Sequence, residues 1–266
     1  MFREVRFEVL GPVRAWHGDA ELELGSPQQR AVLAMLLLAR GRQVSLAGLI
    51  DGLWEGDVPR SAAGTVRTYV SRLRRQVDSI ESVGDGYDLR RDAALLDLDE
   101  FEQRLGAARA ARQRHEDARG ARLLREAVGL WRGDALAGVP GPHAEFRRVT
   151  LTELYLAATE EKLAADIALG DHAAAIAELR ALLAEHPFRE GFTELLMLAL
   201  YKSGRQAEAL YVFDGVRRRL GDELGVDPGP GLQAMHGRVL RADSRLMDTA
   251  GLPAGRRLAV AGGRRA

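Results

Sequence analysis

Residues 59–77 read PRSAAGTVRTYVSRLRRQV, and the spacing of this stretch decides the fold of the first third of the chain. Ser61 follows Pro59-Arg60 in the position of a helix N-cap, where a hydroxyl can accept an orphan N–H of the first turn. Ala62, Val66, Tyr69, Val70, Leu73 and Val77 recur at threes and fours, which is one apolar stripe of a helix. At 100° per residue the far side carries Ser61, Gly64, Thr68, Ser71, Arg72 and Arg75, with Arg67 and Arg74 on the flanks. No acid stands between Arg60 and Val77. Small side chains let a helix sit deep in a groove, threonine can touch a thymine methyl, and arginine can reach a guanine edge or a phosphate. The alternative is a solvated helix that happens to be basic. The candidate DNA-facing set is Arg60, Ser61, Thr65, Arg67, Thr68, Ser71, Arg72, Arg74 and Arg75.

Working outward, residues 3–10 alternate, with Val5, Phe7 and Val9 on one face, and Leu10-Gly11-Pro12 turns the chain. Residues 13–16 and 21–24 are two more short strands, so a small antiparallel sheet is expected here. Ser26-Pro27 opens a helix to Ala39, ended by Gly41, and Ser45 caps a second helix over 46–54. After the 59–77 helix, residues 80–83 and 87–89 flank an Asp85-Gly86 turn, which predicts a hairpin. Three strands, three helices and a hairpin in this order predict a winged helix-turn-helix over residues 1–92, with the third helix in the major groove.

VLGPV (9–13), SPQQRAVLAMLLLARGRQVSLAGLIDGLWEGDVPRSA (26–62) and TVRTYVSRLRRQV (65–77) resemble the OmpR/PhoB-type DNA-binding domain. More closely they resemble the Streptomyces antibiotic regulatory protein family, and the likeness runs to about residue 241. It implies sequence-specific binding of double-stranded DNA at tandem repeats near promoters, as a homodimer on DNA, with recruitment of RNA polymerase holoenzyme at secondary-metabolite (antibiotic) gene clusters. In OmpR-type relatives the loop before the recognition helix meets polymerase, which here implies Glu55, Gly56, Asp57 and Val58. The family's hairpin carries an Arg or Pro-Pro before its Gly-Tyr pair. This chain has Ser82-Val83-Gly84-Asp85 instead. Asp85 at the tip would repel phosphate, which argues against minor-groove contact by the wing.

Residues 92–97 are a brief link, and the remainder of the chain is helical in pattern. Asp99-Glu100-Phe101-Glu102 reads as a capping box opening a helix to about Arg114. Further helices are expected over 116–131 and about 143–169, separated by a loop over 134–142. GDHAAAIAELRALLAEHP (170–187) and GRQAEALYVFDGVRRRL (204–220) repeat at an offset of 34, the tetratricopeptide period, in which helix pairs bury their apolar faces only by stacking. A last helix comes after Asp227-Pro228-Gly229-Pro230 and ends near Arg241. Residues 97–243 resemble the bacterial transcriptional activation domain of the same family, through KSGRQAEAL (202–210) and DELGVDPGPGL (222–232). The Gly/Ala/Arg-rich stretch 244–266 is expected to be a disordered tail. The expected class is therefore mainly α: an N-terminal winged helix-turn-helix with small antiparallel sheets, then an all-α tetratricopeptide-like repeat domain.

Charge and composition narrow the function. The 38 basic and 38 acidic residues balance, which argues against a generic polyanion binder and makes any nucleic-acid footprint local. Cysteine is absent, so disulfides and thiolate metal sites are excluded; a cytoplasmic, nucleoid-associated protein is expected. The N-terminus mixes charges among its apolar residues, unlike a signal peptide, and residues 31–39 are too short an apolar run to span a membrane. There is no GxxxxGK[ST], no GxSxG, and no HExxH among the six scattered histidines; Glu160-Glu161 reads as a solvated face. No enzyme, cofactor or metal is expected. The competing reading is a tetratricopeptide-like scaffold or peptide-binding signalling protein without direct DNA reading.

Overall fold

The computed structural model describes residues 5–90 and 94–247. They fall into two compact units, one of residues 5–90 and 94–115 with 122–158, the other of 116–121 with 159–247.

In the first unit, β1 (Val5–Glu8), β2 (Arg14–His17) and β3 (Ala20–Glu21) form the expected antiparallel meander. The sheet is nevertheless mixed. The stretch expected to be a plain link contains a strand, β7 (Ala94–Leu96), which runs parallel beside β1. Three residues carry too little periodicity to announce a strand; the free edge of β1 recruits them. The third expected strand shortens to β3, and Leu24 beyond it is buried in coil.

Helix α1 (Pro27–Ala39) starts at the expected cap, with Ser26 Oγ accepting the Gln29 N–H at 3.3 Å. Its last turn closes on Arg40 in the left-handed region, φ 54°. Helix α2 (Leu46–Leu53) is capped by Ser45 Oγ, which accepts from Gly48 N at 3.0 Å. Val44–Ser45 also forms β4, an unexpected short strand that pairs with the hairpin. Helix α3 (Ala62–Leu73) buries Ala62, Val66, Val70 and Leu73, the core stripe read from the sequence. Ser61 occupies the N-cap position of α3, but its hydroxyl makes no capping bond. At φ −85° and ψ 1° the residue is outside the extended region that aims an N-cap side chain at the first turn.

The hairpin is β5 (Ile80–Val83) and β6 (Gly86–Leu89), in a sheet of order β4-β6-β5. Its two-residue turn is Gly84-Asp85, not Asp85-Gly86: Val83 pairs with Gly86, and the positive φ falls on Gly84 at 54°. Glycine in the first turn position suits the strand twist. Gly86 meanwhile lies against the Val44 backbone with no room for a side chain.

Helix α4 (Asp97–Gln113) begins two residues before the expected capping box. Asp97, its first residue, turns its carboxylate back to the end of β1, accepting Val9 N at 2.9 Å and Leu10 N at 3.0 Å. Burial pushes Asp97 up to about 6, against the opposing pull of these N–H donors. Helix α5 (Asp117–Val128) ends three residues early. The chain leaves it so that Trp131 can stand between Phe101 and Tyr155, at 5.5 and 5.0 Å. Arg132 N and Leu136 N then donate to the Leu10 and Val9 carbonyls at 2.8 and 3.0 Å. The expected loop over 134–142 thus clamps the VLGPV segment.

Helix α6 (Pro142–Ala168) and α5 each contribute residues to both units. In the second unit α8 (Glu190–Lys202) is buried by α7 (His172–Glu185), α9 (Gln206–Leu224) and α10 (Pro230–Leu240). The first residues of α7 and α9 are 34 apart, and Gly170 and Gly204 before them both take positive φ, 95° and 76°. Glu160, expected on a solvated face, instead pairs with Arg189 at 2.6 Å. Residues 244–246, expected in the tail, form a 3-10 turn that buries Leu246. The rest of that tail, 248–266, lies outside the described residues. No helix among those described is long and apolar enough to cross a membrane.

Candidate nucleic-acid interface

Helix α3 is mounted on α1 and α2 through its Val66/Val70/Leu73 stripe, and Tyr69 Oη donates to Gln28 Oε1 of α1 at 3.2 Å. That anchoring turns the opposite face outward. Ser61, Gly64, Arg67, Thr68, Ser71, Arg72 and Arg75 are exposed, as is Arg60 just before the helix, while Thr65 is half-buried. A side chain at Gly64 would meet nothing, so the centre of the face is open.

The two threonines have already used their hydroxyl protons. Thr65 Oγ1 donates to the Ser61 carbonyl at 3.1 Å and Thr68 Oγ1 to the Gly64 carbonyl at 2.9 Å. At Thr68 this leaves the methyl and an acceptor lone pair for a partner. The Ser61 hydroxyl, free of capping duty, is also available.

Among the described residues Arg60, Arg67, Arg72 and Arg75 have no ion-pair partner, whereas Arg104, Arg119, Arg122, Arg180 and Arg205 are all paired with glutamates. Exposed arginines without an ion pair also occur elsewhere, at Arg42, Arg114, Arg218 and Arg241, but α3 and the residues flanking it gather four. Among the candidate arginines Arg74 stands apart. It is half-buried, donating from Nε to the Ile80 carbonyl at 2.9 Å and from Nη2 to Ser82 Oγ at 2.8 Å.

The wing is acidic but not unguarded. Gln43 Nε2 donates to the Val83 carbonyl at 2.7 Å and to Asp85 Oδ1 at 2.9 Å, and the Asp85 carbonyl accepts Leu46 N at 3.1 Å. Neither the Arg74 nor the Gln43 contacts were legible in the sequence, because each joins residues through the fold and not by helical or strand spacing.

Glu55, Gly56, Asp57 and Val58 are all exposed, with Gly56 at φ 75°. The loop leaves α2 where that helix is held closely: a side chain at Gly52 would run into Met35 and His143, and one at Gly141 into the Gly52 and Leu53 backbone. Close packing before the loop fixes where its acidic side chains start. Burial, then the charge of Arg147, lowers His143 below the ordinary imidazole range.

Residues 19–87 match the family described as transcriptional regulatory protein, C terminal, and residues 96–240 match the bacterial transcriptional activator domain. The second match alone covers more than half of the chain. The chain belongs to the Streptomyces antibiotic regulatory protein family. It is 51% identical to the regulatory protein AfsR of Streptomyces coelicolor over 92% of its length, and 48% identical to AfsR of Streptomyces griseus over 94%. It spans only about a quarter of either AfsR. The regulatory protein DnrI of Streptomyces peucetius is 33% identical over 90% of this chain and 93% of its own. A solved structure of Mycobacterium tuberculosis EmbR in complex with a low-affinity phosphopeptide is similar at TM-score 0.84 and 35% identity, over 90% of this chain and 65% of that one. The winged-helix and helical-repeat architecture of this family member is thus shared with a solved relative.

Proposed function

We propose that this family member is a sequence-specific, DNA-binding transcriptional activator. Residues 1–92 carry the DNA-binding function and residues 97–243 the activation function. It binds tandem repeats near promoters as a homodimer on DNA, recruits RNA polymerase holoenzyme, and controls a secondary-metabolite gene cluster. The observation that carries this is the row of exposed arginines on and before α3 that have no ion-pair partner among the described residues. Guanidinium groups left unpaired beside small and hydroxylated side chains suit a polyanion with readable base edges. Thr68 and Arg72 read bases; Arg60, Ser61, Arg67, Ser71 and Arg75 hold phosphates, with Thr65 at the edge of the contact. Glu55 to Val58 face polymerase. The relatives' names as regulatory proteins support the same reading.

A salt titration of binding to random duplex tests it. Several phosphate contacts give a steep fall of log affinity with log salt, at about 0.9 per phosphate neutralised. Duplexes with one and two genomic repeats then test cooperativity. A flat salt dependence sinks the DNA reading. It would favour the scaffold alternative, for which the second unit offers an open groove of about 600 Å³ lined by Leu183, Pro187, Leu196, Tyr211 and Val212.

A further inference from the structure

Arg74 directly succeeds the last residue of α3, and its side chain spans both strands of the hairpin. Nε reaches the Ile80 carbonyl and Nη2 the Ser82 hydroxyl, both on β5. The guanidinium carbon lies 5.5 Å from the centre of the Tyr87 ring on β6, and Tyr87 is the cross-strand partner of Ser82. Two divergent hydrogen bonds and a cation–π contact fix a planar group in position and orientation, which a lysine ammonium cannot reproduce. At the other end of the hairpin, Gln43 holds the tip through Val83 and Asp85. The wing is thus braced at its root from α3 and at its tip from the α1–α2 connection.

We propose that Arg74 is a positioning residue, a strut that sets the hairpin against the recognition helix, and not a phosphate ligand. The proposal rests on the DNA-binding reading of α3. Phosphates on a duplex are spaced by the duplex, so the offset between α3 and the hairpin selects which of them the two elements can meet together. Arg74 then acts on affinity through geometry, and its positive charge is not what matters.

The test combines Arg74→Lys, Arg74→Gln and Ser82→Ala in the full chain. Without DNA, hydrogen exchange of the β5 and β6 amides is expected to speed up in both Arg74 variants. On operator DNA, Arg74→Lys is expected to lose as much affinity as Arg74→Gln, on the order of tenfold, and Ser82→Ala is expected to make the Arg74→Lys loss smaller. Full retention of affinity by Arg74→Lys, with loss in Arg74→Gln, would overturn the strut, because charge alone would then suffice. So would unchanged hairpin exchange, or strict additivity with Ser82→Ala. Ser82 is exposed, so its variant remains informative if an Arg74 variant folds poorly. A wild-type chain that binds no DNA would sink the parent reading instead, while the exchange experiment still reports on the strut.

Discussion

Thr68 and Arg72 stand one helical turn apart on the exposed ridge of α3, opposite the buried Val66, Val70 and Leu73. Arg72 has no ion-pair or side-chain hydrogen-bond partner among the described residues, which leaves its guanidinium fork for a base pair. Arg72→Ala is therefore expected to cost about 1–3 kcal/mol of discrimination at one or two operator positions without loss of helix content. Competition binding with single-base operator variants measures it, and a uniform loss at every variant would make Arg72 a phosphate contact. Asp97 presents a different problem, since it is 6% exposed and its carboxylate faces Glu8 as well as the N–H donors. Its folded-state value of about 6 is raised from an ordinary 3.8, so between those values the folded protein binds more protons than the unfolded chain. Stability should accordingly fall as pH rises through that window and level off above it, by at most about 3 kcal/mol. Asp97→Asn removes this titration. Urea melts of both proteins at pH 4, 5, 6 and 7 should give a wild-type advantage that shrinks as pH rises; a constant difference would mean that Asp97 does not titrate there.

The hairpin shows how an element's meaning depends on its neighbours. Taken as a tip residue alone, Asp85 would only repel phosphate, yet it also accepts the Gln43 amide. Asp85→Arg is expected to raise affinity for all duplexes at low salt, with the gain shrinking as salt screens the charge. Asp85→Asn keeps an acceptor for Gln43 and should gain less. If neither variant changes affinity at low salt, the hairpin stands clear of the duplex. The 3-10 turn of residues 244–246 is the second case. Its side chain at Leu246 is 1% exposed, and the turn packs on α8. A chain ending at 243, where the sequence suggested a domain end, should be less stable than one ending at 247 by about 1.5–3 kcal/mol, the gain from burying one leucine. Equal denaturation midpoints would show that Leu246 adds nothing.

At the scale of the whole molecule, the first unit draws on chain well beyond residue 92. Strand β7, Asp97 and the Arg132–Leu136 segment all close on β1 and on Val9 to Gly11. A chain of residues 1–92 keeps α3 and its arginines but leaves Val9 N and Leu10 N without the Asp97 carboxylate. It should melt well below a chain of residues 1–158 and bind the same DNA more weakly; coincident thermal transitions would refute the dependence. What the sequence determined by itself was whatever repeats locally. The α3 stripe set which arginines face outward, Ser26 and Ser45 set two helix starts, and the 34-residue offset set the register of α7 and α9. These features arise from spacing and capping, which act over a few residues or recur at a fixed interval. Tertiary structure decided what short segments do when a distant edge or donor needs them. It made a strand of Ala94–Leu96, turned Asp97 from helix starter into the acceptor for β1, and moved the hairpin turn to Gly84-Asp85 because the Val44 backbone occupies the space beside Gly86. It also tied Arg74, expected on a flank of α3, to the hairpin, because Ile80, Ser82 and Tyr87 meet its guanidinium only once the chain has folded back.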